Sequence, residues 1–408
     1  MPSALPDGEP APDDGALPAS ATAGLGDRPF GLYAHVPFCL ARCGYCDFNT
    51  YTAGELGSSA SPESWLAALR RELDLAAHVL GPPPAVDTVF VGGGTPSLLG
   101  ADGLADVLAA VRDTFGIAAD AEVTTEANPE STSPAFFAGI RAAGYTRVSL
   151  GMQSAVPHVL ATLDRGHTPG RPVAAAAEAR AAGFAHVSLD LIYGTPGETT
   201  DDLRRSLDAV LAADVDHVSA YSLIVEDGTA LARRIARGEL PAPDDDVLAA
   251  DYELVDDTLT AAGLGWYEVS NWAVSTAARC RHNMGYWLGA DWWGAGPGAH
   301  SHVGGVRWWN VKHPARYAGL LAAGRSPAAG REVLTDADRS VERVLLELRL
   351  ADGLPVTVLT GSAPAEAGFA VADGLLDGAA LAAGRCVLTR RGRLLADAVV
   401  RRLADWSR

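Results

Sequence analysis

Cys39, Cys43 and Cys46 fall within the run His35-Val-Pro-Phe-Cys-Leu-Ala-Arg-Cys-Gly-Tyr-Cys-Asp-Phe48. This C-x3-C-x2-C spacing brings three thiolates onto one loop and offers no fourth nearby. An iron–sulfur cube ordinarily takes one cysteinate per iron. A loop with three leaves one iron with an open coordination position that a small molecule must fill, so the cluster becomes a reagent. Zinc is the main rival, with His35, Cys280 or Cys386 as a fourth ligand, but zinc cysteines usually come as two separate knuckles. A lone C-x2-C would be far less specific, since it also serves zinc sites and redox dithiols.

The elements that must position this loop follow from the alternation of short apolar runs with longer amphipathic ones, the pattern of repeated βα units around a parallel sheet. Six strands are predicted, over residues 31–35, 86–91, 122–126, 147–151, 186–192 and 217–224. In the first helix Leu66, Leu69, Leu73, Ala76 and Leu80 recur at three- and four-residue steps, which gives one face to the sheet. Polar and Gly-rich residues collect where the strands end: the cysteine loop, Gly92-Gly-Gly-Thr-Pro-Ser97, Glu126-Ala-Asn-Pro129, Gln153 and Asp190. Carboxyl ends of strands form the active rim of βα barrels and open sheets. Six units fall short of eight, so the expected fold is α/β, a partial (β/α)6 barrel over residues 29–310. A small C-terminal α+β module of winged-helix-like character is expected over 311–408, and residues 1–28, rich in Ala, Pro, Gly and Asp, are expected to be a disordered tail.

Taken together, the cysteine loop, Gly92-Gly-Gly-Thr-Pro96, Glu126-x-Asn-Pro129 and Leu189-Asp-Leu-Ile-Tyr-Gly-Thr-Pro-Gly197 resemble the radical S-adenosylmethionine (SAM) proteins of the oxygen-independent coproporphyrinogen III oxidase group. The likeness runs from Tyr33 nearly to the C-terminus. Within that group, Cys43-Gly-Tyr-Cys-Asp-Phe-Asn49 and His282-Asn-Met-Gly-Tyr-Trp287 resemble the branch of haem chaperones. The resemblance implies a [4Fe–4S] cluster on Cys39, Cys43 and Cys46, with the amino and carboxylate groups of SAM on the open iron. One electron into the adjacent sulfonium would release a 5′-deoxyadenosyl radical, the cofactor carrying the hard chemistry and the protein its orientation.

Gly93, Gly94 and Thr95 look like the strip for the methionyl amine, because residues without side chains let backbone approach a ligand closely. No Gly-Lys-Ser/Thr follows, so the glycines are not a phosphate loop. Glu126 offers two acceptor oxygens suited to ribose hydroxyls, and Gln153, Arg165 and Asp190 suit the remaining polar edges. Tyr33 and Tyr45 flank the cluster loop and resemble positions that shelter it or touch the nucleoside, although packing explains them nearly as well.

Seven of the nine tryptophans fall between Trp266 and Trp309, together with Tyr267, Tyr286, His282, His300 and His302. Aromatic faces and a neutral imidazole suit a porphyrin plane and its iron, whereas core packing is the commoner use of such residues. The resemblance makes haem the cargo, His282 the first candidate axial ligand and Cys280 the second. The absence of C-x-x-C-H argues against covalent attachment. The implied function is to receive haem and pass it to haem-requiring clients such as respiratory proteins, with a homodimer as a further expectation. The competing expectation is an enzyme, either coproporphyrinogen III dehydrogenase or a radical oxidase of another substrate. Against the former, members that oxidise coproporphyrinogen carry an additional cysteine two residues after the third ligand, where this chain has Phe48.

The bulk numbers bound these readings. A net charge of −18 disfavours nucleic acid or an anionic bilayer as a general partner, and no apolar run approaches the ~18 residues of a membrane span. An odd count of five cysteines, three of them clustered, and an acidic N-terminal stretch unlike an export signal place the chain in a reducing cytoplasm.

Overall fold

The computed structural model describes residues 8–82 and 84–404. In chain order its strands begin with β1 (Phe30–Val36), the two-residue β2 (Phe38–Cys39) and β3 (Tyr51–Thr52), β4 (Val86–Gly93), β5 (Ile117–Ala127), β6 (Arg147–Gln153), β7 (His186–Tyr193) and β8 (His217–Ser222). They continue with β9 (Gly265–Glu268), β10 (Asn271–Ala273), β11 (Asp291–Ala295), β12 (His300–Val303), β13 (Val306–Asn310), β14 (Ala328–Val333), β15 (Leu354–Pro355) and β16 (Arg385–Cys386).

Twelve of these strands make one sheet, ordered β14-β13-β12-β11-β1-β4-β5-β6-β7-β8-β10-β9. The six predicted strands are its parallel centre, and β11 joins them parallel to β1. Antiparallel strands flank this centre on both sides. The order ends at β14 and β9, so the barrel is partial, as six units require.

Period-two alternation divides each parallel strand between two faces. Leu32, Ala34, Val89, Val91, Val123, Val148, Leu150, Leu189 and Leu191 are buried in the main hydrophobic core. The helix Pro62–Leu80 starts where Ser61 accepts a hydrogen bond from the Ser64 amide with Pro62 in the first turn, and it buries Trp65, Leu69, Leu73, Ala76 and Leu80. The intervening strand positions, Tyr33, Phe90, Glu126, Ser149, Gln153 and Asp190, share the opposite face, the concave interior.

Three expectations need correction. Of the disordered tail expected over residues 1–28, residues 1–7 lie outside the described residues, and residues 8–28 are ordered against the sheet. Glu9 pairs with Arg331 of the β14 edge through two backbone hydrogen bonds of 2.9 Å, and Glu9–Arg331, Asp13–Arg325 and Arg28–Asp291 are ion-paired at 2.7, 2.6 and 2.9 Å. The boundary at 310/311 also moves, because β14 belongs to the main sheet. The second hydrophobic core begins with Val344 of the helix Asp336–Glu347 and includes Leu348, Leu354, Ala367, Cys386, Val399 and Leu403. Finally, much of the tryptophan-rich segment is strand and core. Trp272, Trp293, Trp308 and Trp309 are buried, and Trp293 meets Trp308 edge to face with ring centroids 4.8 Å apart.

Candidate functional site

The cysteine loop leaves the carboxyl end of β1 and returns at β3, which pairs parallel with β2 and so closes the loop at its base. Its tip is held through Gly44, whose amide donates to the Leu163 carbonyl at 3.0 Å and whose carbonyl accepts from the Leu231 amide at 2.8 Å. Asn49 anchors the returning limb, donating to the carbonyls of Pro297 and Lys312 at 2.9 and 2.8 Å. The Gly-rich strip after β4 lies directly alongside. The Gly94 amide donates to Val36 and the Thr95 amide to Phe38, at 2.7 and 2.8 Å. A Cβ at Gly94 would stand 2.5 Å from the Phe38 carbonyl oxygen and 3.0 Å from Cys39 Sγ, so no side chain fits there.

These parts surround a cavity of about 730 Å³, within the range of sites that hold small molecules and cofactors. Cys39, Cys43 and Cys46 form one wall, with Tyr45, Gly93, Gly94 and Thr95 beside them. Glu126, Gln153 and Asp190 line it further in, and Arg165 lies against the thiols. Eleven of the thirteen sequence-predicted residues therefore meet at one cavity; Tyr33 and His282 do not line it. Tyr33 sits beneath, its hydroxyl 2.9 Å from His35 Nδ1 and its ring beside Phe90.

The floor is acidic and largely withdrawn from water. Burial pushes the Glu126 carboxyl up to about 8, with Asp190 adding to the shift, while the Gly93 amide, donating to Oε2 at 3.0 Å, pulls the other way. Burial likewise raises Asp190 to about 6, opposed by the Ser149 hydroxyl at 2.9 Å. Gln153 carries two marks of a ligand-facing residue. Its φ is +62°, a strained left-handed value for a side chain of this kind, and its buried Oε1 has no hydrogen-bond partner.

Burial also raises the thiols of Cys39 and Cys46, the latter to about 11. Against this, Thr95 Oγ1 lies 3.7 Å from Cys39 Sγ and the Arg165 charge also favours that thiolate; the Arg165 guanidinium itself lies 3.5 Å from Cys43 Sγ through Nη1. Burial alone would hold these thiols protonated, and a positive centre such as bound iron reverses that balance. The donor set thus fits the implied cluster: three thiols lining one cavity, a guanidinium against one of them, and an unpaired acceptor, Gln153 Oε1, lining the same cavity. The alternative zinc ligands lie elsewhere. Cys280 is buried against Glu122, Cys386 is buried in the C-terminal core, and His35 has Tyr33 and the Asn49 carbonyl against its two ring nitrogens.

His282 lies below the cavity in the helix Arg281–Trp287, 3% exposed. Its Nδ1 is 2.8 Å from Thr88 Oγ1, its Nε2 is 2.8 Å from the Tyr286 hydroxyl, and its ring stacks on Phe90. Both nitrogens are thus engaged, and Cys280 is similarly enclosed. Ser149, Ser131 and Tyr221 also line the cavity, and the sequence does not single them out. Ser149 was within reach of strand parity, two residues before Gly151 on the inner face.

Residues 33–210 match the family model of the Radical SAM superfamily. The fold agrees with that of coproporphyrinogen III oxidase (HemN) from Escherichia coli, described as a radical SAM enzyme, at a TM-score of 0.80 and 23% identity over 95% of this chain and 92% of that one. The Heme chaperone HemW of Mycobacterium tuberculosis is 64% identical over 376 residues, 92% of this chain and 95% of the relative. The chain belongs to the HemW family. The Heme chaperone HemW of Bacillus subtilis is 33% identical over 79% of this chain and 84% of its own length. In HemW terms, the radical-SAM region begins at Tyr33 on β1 and continues into the helix Thr200–Ala212, so it contains the whole cysteine loop and the ends of β4 to β7.

Proposed function

We propose that this protein is a cytoplasmic haem chaperone that binds haem and delivers it to haem-requiring proteins. It would hold a [4Fe–4S] cluster on Cys39, Cys43 and Cys46 and SAM in the adjoining cavity. The observation that carries this reading is the 64% identity to a HemW chaperone across nearly the full length of both chains. When bound, the cluster and SAM supply one-electron cleavage of a carbon–sulfur bond. This chain's own residues do the positioning. Gly93 and Gly94 admit a ligand amine to the backbone, Glu126 and Asp190 offer acceptors at the floor, the unpaired Gln153 Oε1 takes a donor, and Arg165 holds positive charge at the thiol wall.

Ligation of haem iron by His282 requires Nε2 to exchange the Tyr286 hydroxyl for the metal, which makes that hydroxyl a competitor. Haem titration of the anaerobic protein, read by visible absorption, separates the possibilities. Weaker binding and an altered spectrum in His282→Ala, with tighter binding in Tyr286→Phe, would support ligation. Unchanged spectra and affinity in both variants would remove His282 from that role.

A second reading, coproporphyrinogen III dehydrogenase or a radical oxidase of another substrate, requires that the cavity of about 730 Å³ admit a substrate beside SAM. Anaerobic incubation with coproporphyrinogen decides between the two. Protoporphyrinogen in the product would establish the enzyme, and tight haem binding without turnover would establish the chaperone.

A further inference from the structure

The segment that follows the helix Pro157–Thr162 touches the cysteine loop more closely than any sequence motif suggests. Leu163 accepts the Gly44 amide, and a Cβ at Gly44 would stand 2.4 Å from Asp164 Oδ2. Asp164 itself adopts a φ of +52°. Arg165 then turns inward and divides its guanidinium among three acceptors. Nη1 reaches Cys43 Sγ at 3.5 Å, Nη2 the Gly151 carbonyl at 3.1 Å, and Nε the His167 ring at Nε2, 3.0 Å away. One residue further on, Thr168 is pinned through its amide and hydroxyl to the Glu130 carboxylate at 2.6 and 3.2 Å. The segment is thus fastened at both ends, with His167 between the fastenings.

A guanidinium has only donors, so a histidine nitrogen facing it must be the acceptor of a neutral ring. His167 meets this condition, because burial first and Arg165 second depress its basicity to about 4. The motifs assign His167 no task, and it does not line the cavity. We propose that His167 is a positioning residue that locks the Arg165 guanidinium against the Cys43 sulfur and thereby sets the reduction potential of the cluster held there. The proposal rests on the cluster assignment to Cys39, Cys43 and Cys46.

The physical link is direct. Reduction adds one electron, so a cation and a hydrogen bond fixed at a ligand sulfur stabilise the reduced state more than the oxidised one and raise the potential. Without the acceptor at Nε, the guanidinium keeps two of its three anchors and can turn away from Cys43, which lowers the potential. Gln offers an amide oxygen in place of the ring nitrogen and is the conservative replacement.

The test is a reductive titration followed by electron paramagnetic resonance on anaerobically reconstituted wild type, His167→Ala, His167→Gln and Arg165→Met, with iron and sulfide measured on each. The expected result is a lower midpoint in His167→Ala and Arg165→Met. At fixed potential the reduced-to-oxidised ratio should fall about tenfold, equivalent to about 59 mV for one electron, and His167→Gln should recover most of it. An unshifted His167→Ala midpoint overturns the proposal. If His167→Ala loads no iron, His167→Leu, which fills the space without an acceptor, decides in its place, a lowered midpoint supporting the proposal and a wild-type one overturning it. Wild type without iron would instead sink the cluster assignment, a separate outcome.

Discussion

Arg393 of the C-terminal module clasps Asp256 of the barrel unit in a two-pronged ion pair, Nη1 to Oδ1 at 3.1 Å and Nη2 to Oδ2 at 2.8 Å. The same guanidinium lies 4.5 Å from the Trp266 ring centroid, and Asp256 also accepts from Trp272 Nε1 at 2.9 Å. With Arg390, which pairs with Asp257 at 2.7 Å, it ties the C-terminal core to the main one. Replacing Arg393 by Met leaves a buried carboxylate short of its main partner, a change that costs about 3 kcal/mol in comparable settings. Calorimetry should show the C-terminal module unfolding in an earlier, separate step, where wild type gives a more concerted transition.

Gly44→Ala should uncouple loop geometry from barrel stability. The added methyl overlaps Asp164, and the loop tip is the part free to yield, because it is held by few bonds. Iron per chain after anaerobic reconstitution should fall clearly below wild type, while the chemical denaturation midpoint of the barrel changes by no more than about 1 kcal/mol in free-energy terms. Wild-type iron content in this variant would show that the contact between Gly44 and Asp164 is not restrictive.

Single Cys→Ala substitutions separate the cluster from zinc. Loss of Cys39, Cys43 or Cys46 should abolish the paramagnetic signal of the reduced cluster. Cys280→Ala and Cys386→Ala should retain it, since both thiols are buried away from the cavity. Elemental analysis that finds stoichiometric zinc in the anaerobic wild type would contradict the iron assignment.

Glu72 gives a prediction in pH. This fully buried carboxylate accepts from the Gly296 amide at 2.8 Å, Asn310 Nδ2 at 2.7 Å and the Tyr317 hydroxyl at 2.5 Å. Burial nevertheless pushes it up to about 7 from 4.5. A carboxyl raised by folding keeps more protons in the native state than in the unfolded one. Its contribution is full below the unfolded value of 4.5 and is lost as pH rises through about 7. Between pH 5 and 8 the wild-type melting temperature should decline, a linkage worth up to about 3 kcal/mol. Glu72→Gln should start lower and show a flatter slope, and equal slopes would dismiss Glu72 as the titrating group.

The six central strands and most of the cavity could be read in the sequence for the same reason. Parallel strands covered by helices read as short apolar runs, and residues such as Glu126, Gln153 and Asp190 stand out as polar interruptions at the strand ends. The flanking strands β9 to β14 were hidden because their aromatic residues suggested a flat ligand, whereas Trp293 and Trp308 mainly pack on each other. The order of residues 8–28 depends on backbone pairing to Arg331 and on ion pairs with Arg325 and Asp291, distant in sequence and invisible to composition. His282 illustrates a further limit. A motif can mark the residue, but its burial beneath Phe90 is fixed by Thr88 and Tyr286, which only the fold brings together. His167 belongs to no motif, and only the fold sets its ring against Arg165.

An open sheet has two rims, and a bare rim is a template for any passing chain. At β14 the protein fills part of that rim with its own leading residues, Glu9 exchanging both backbone bonds with Arg331 while its carboxylate grips the same arginine. What composition suggested was an idle leader therefore behaves as a guard strip. Preparations trimmed to start near Arg28 would leave that part of the rim unguarded, and such material would self-associate at concentrations where the intact chain stays dispersed.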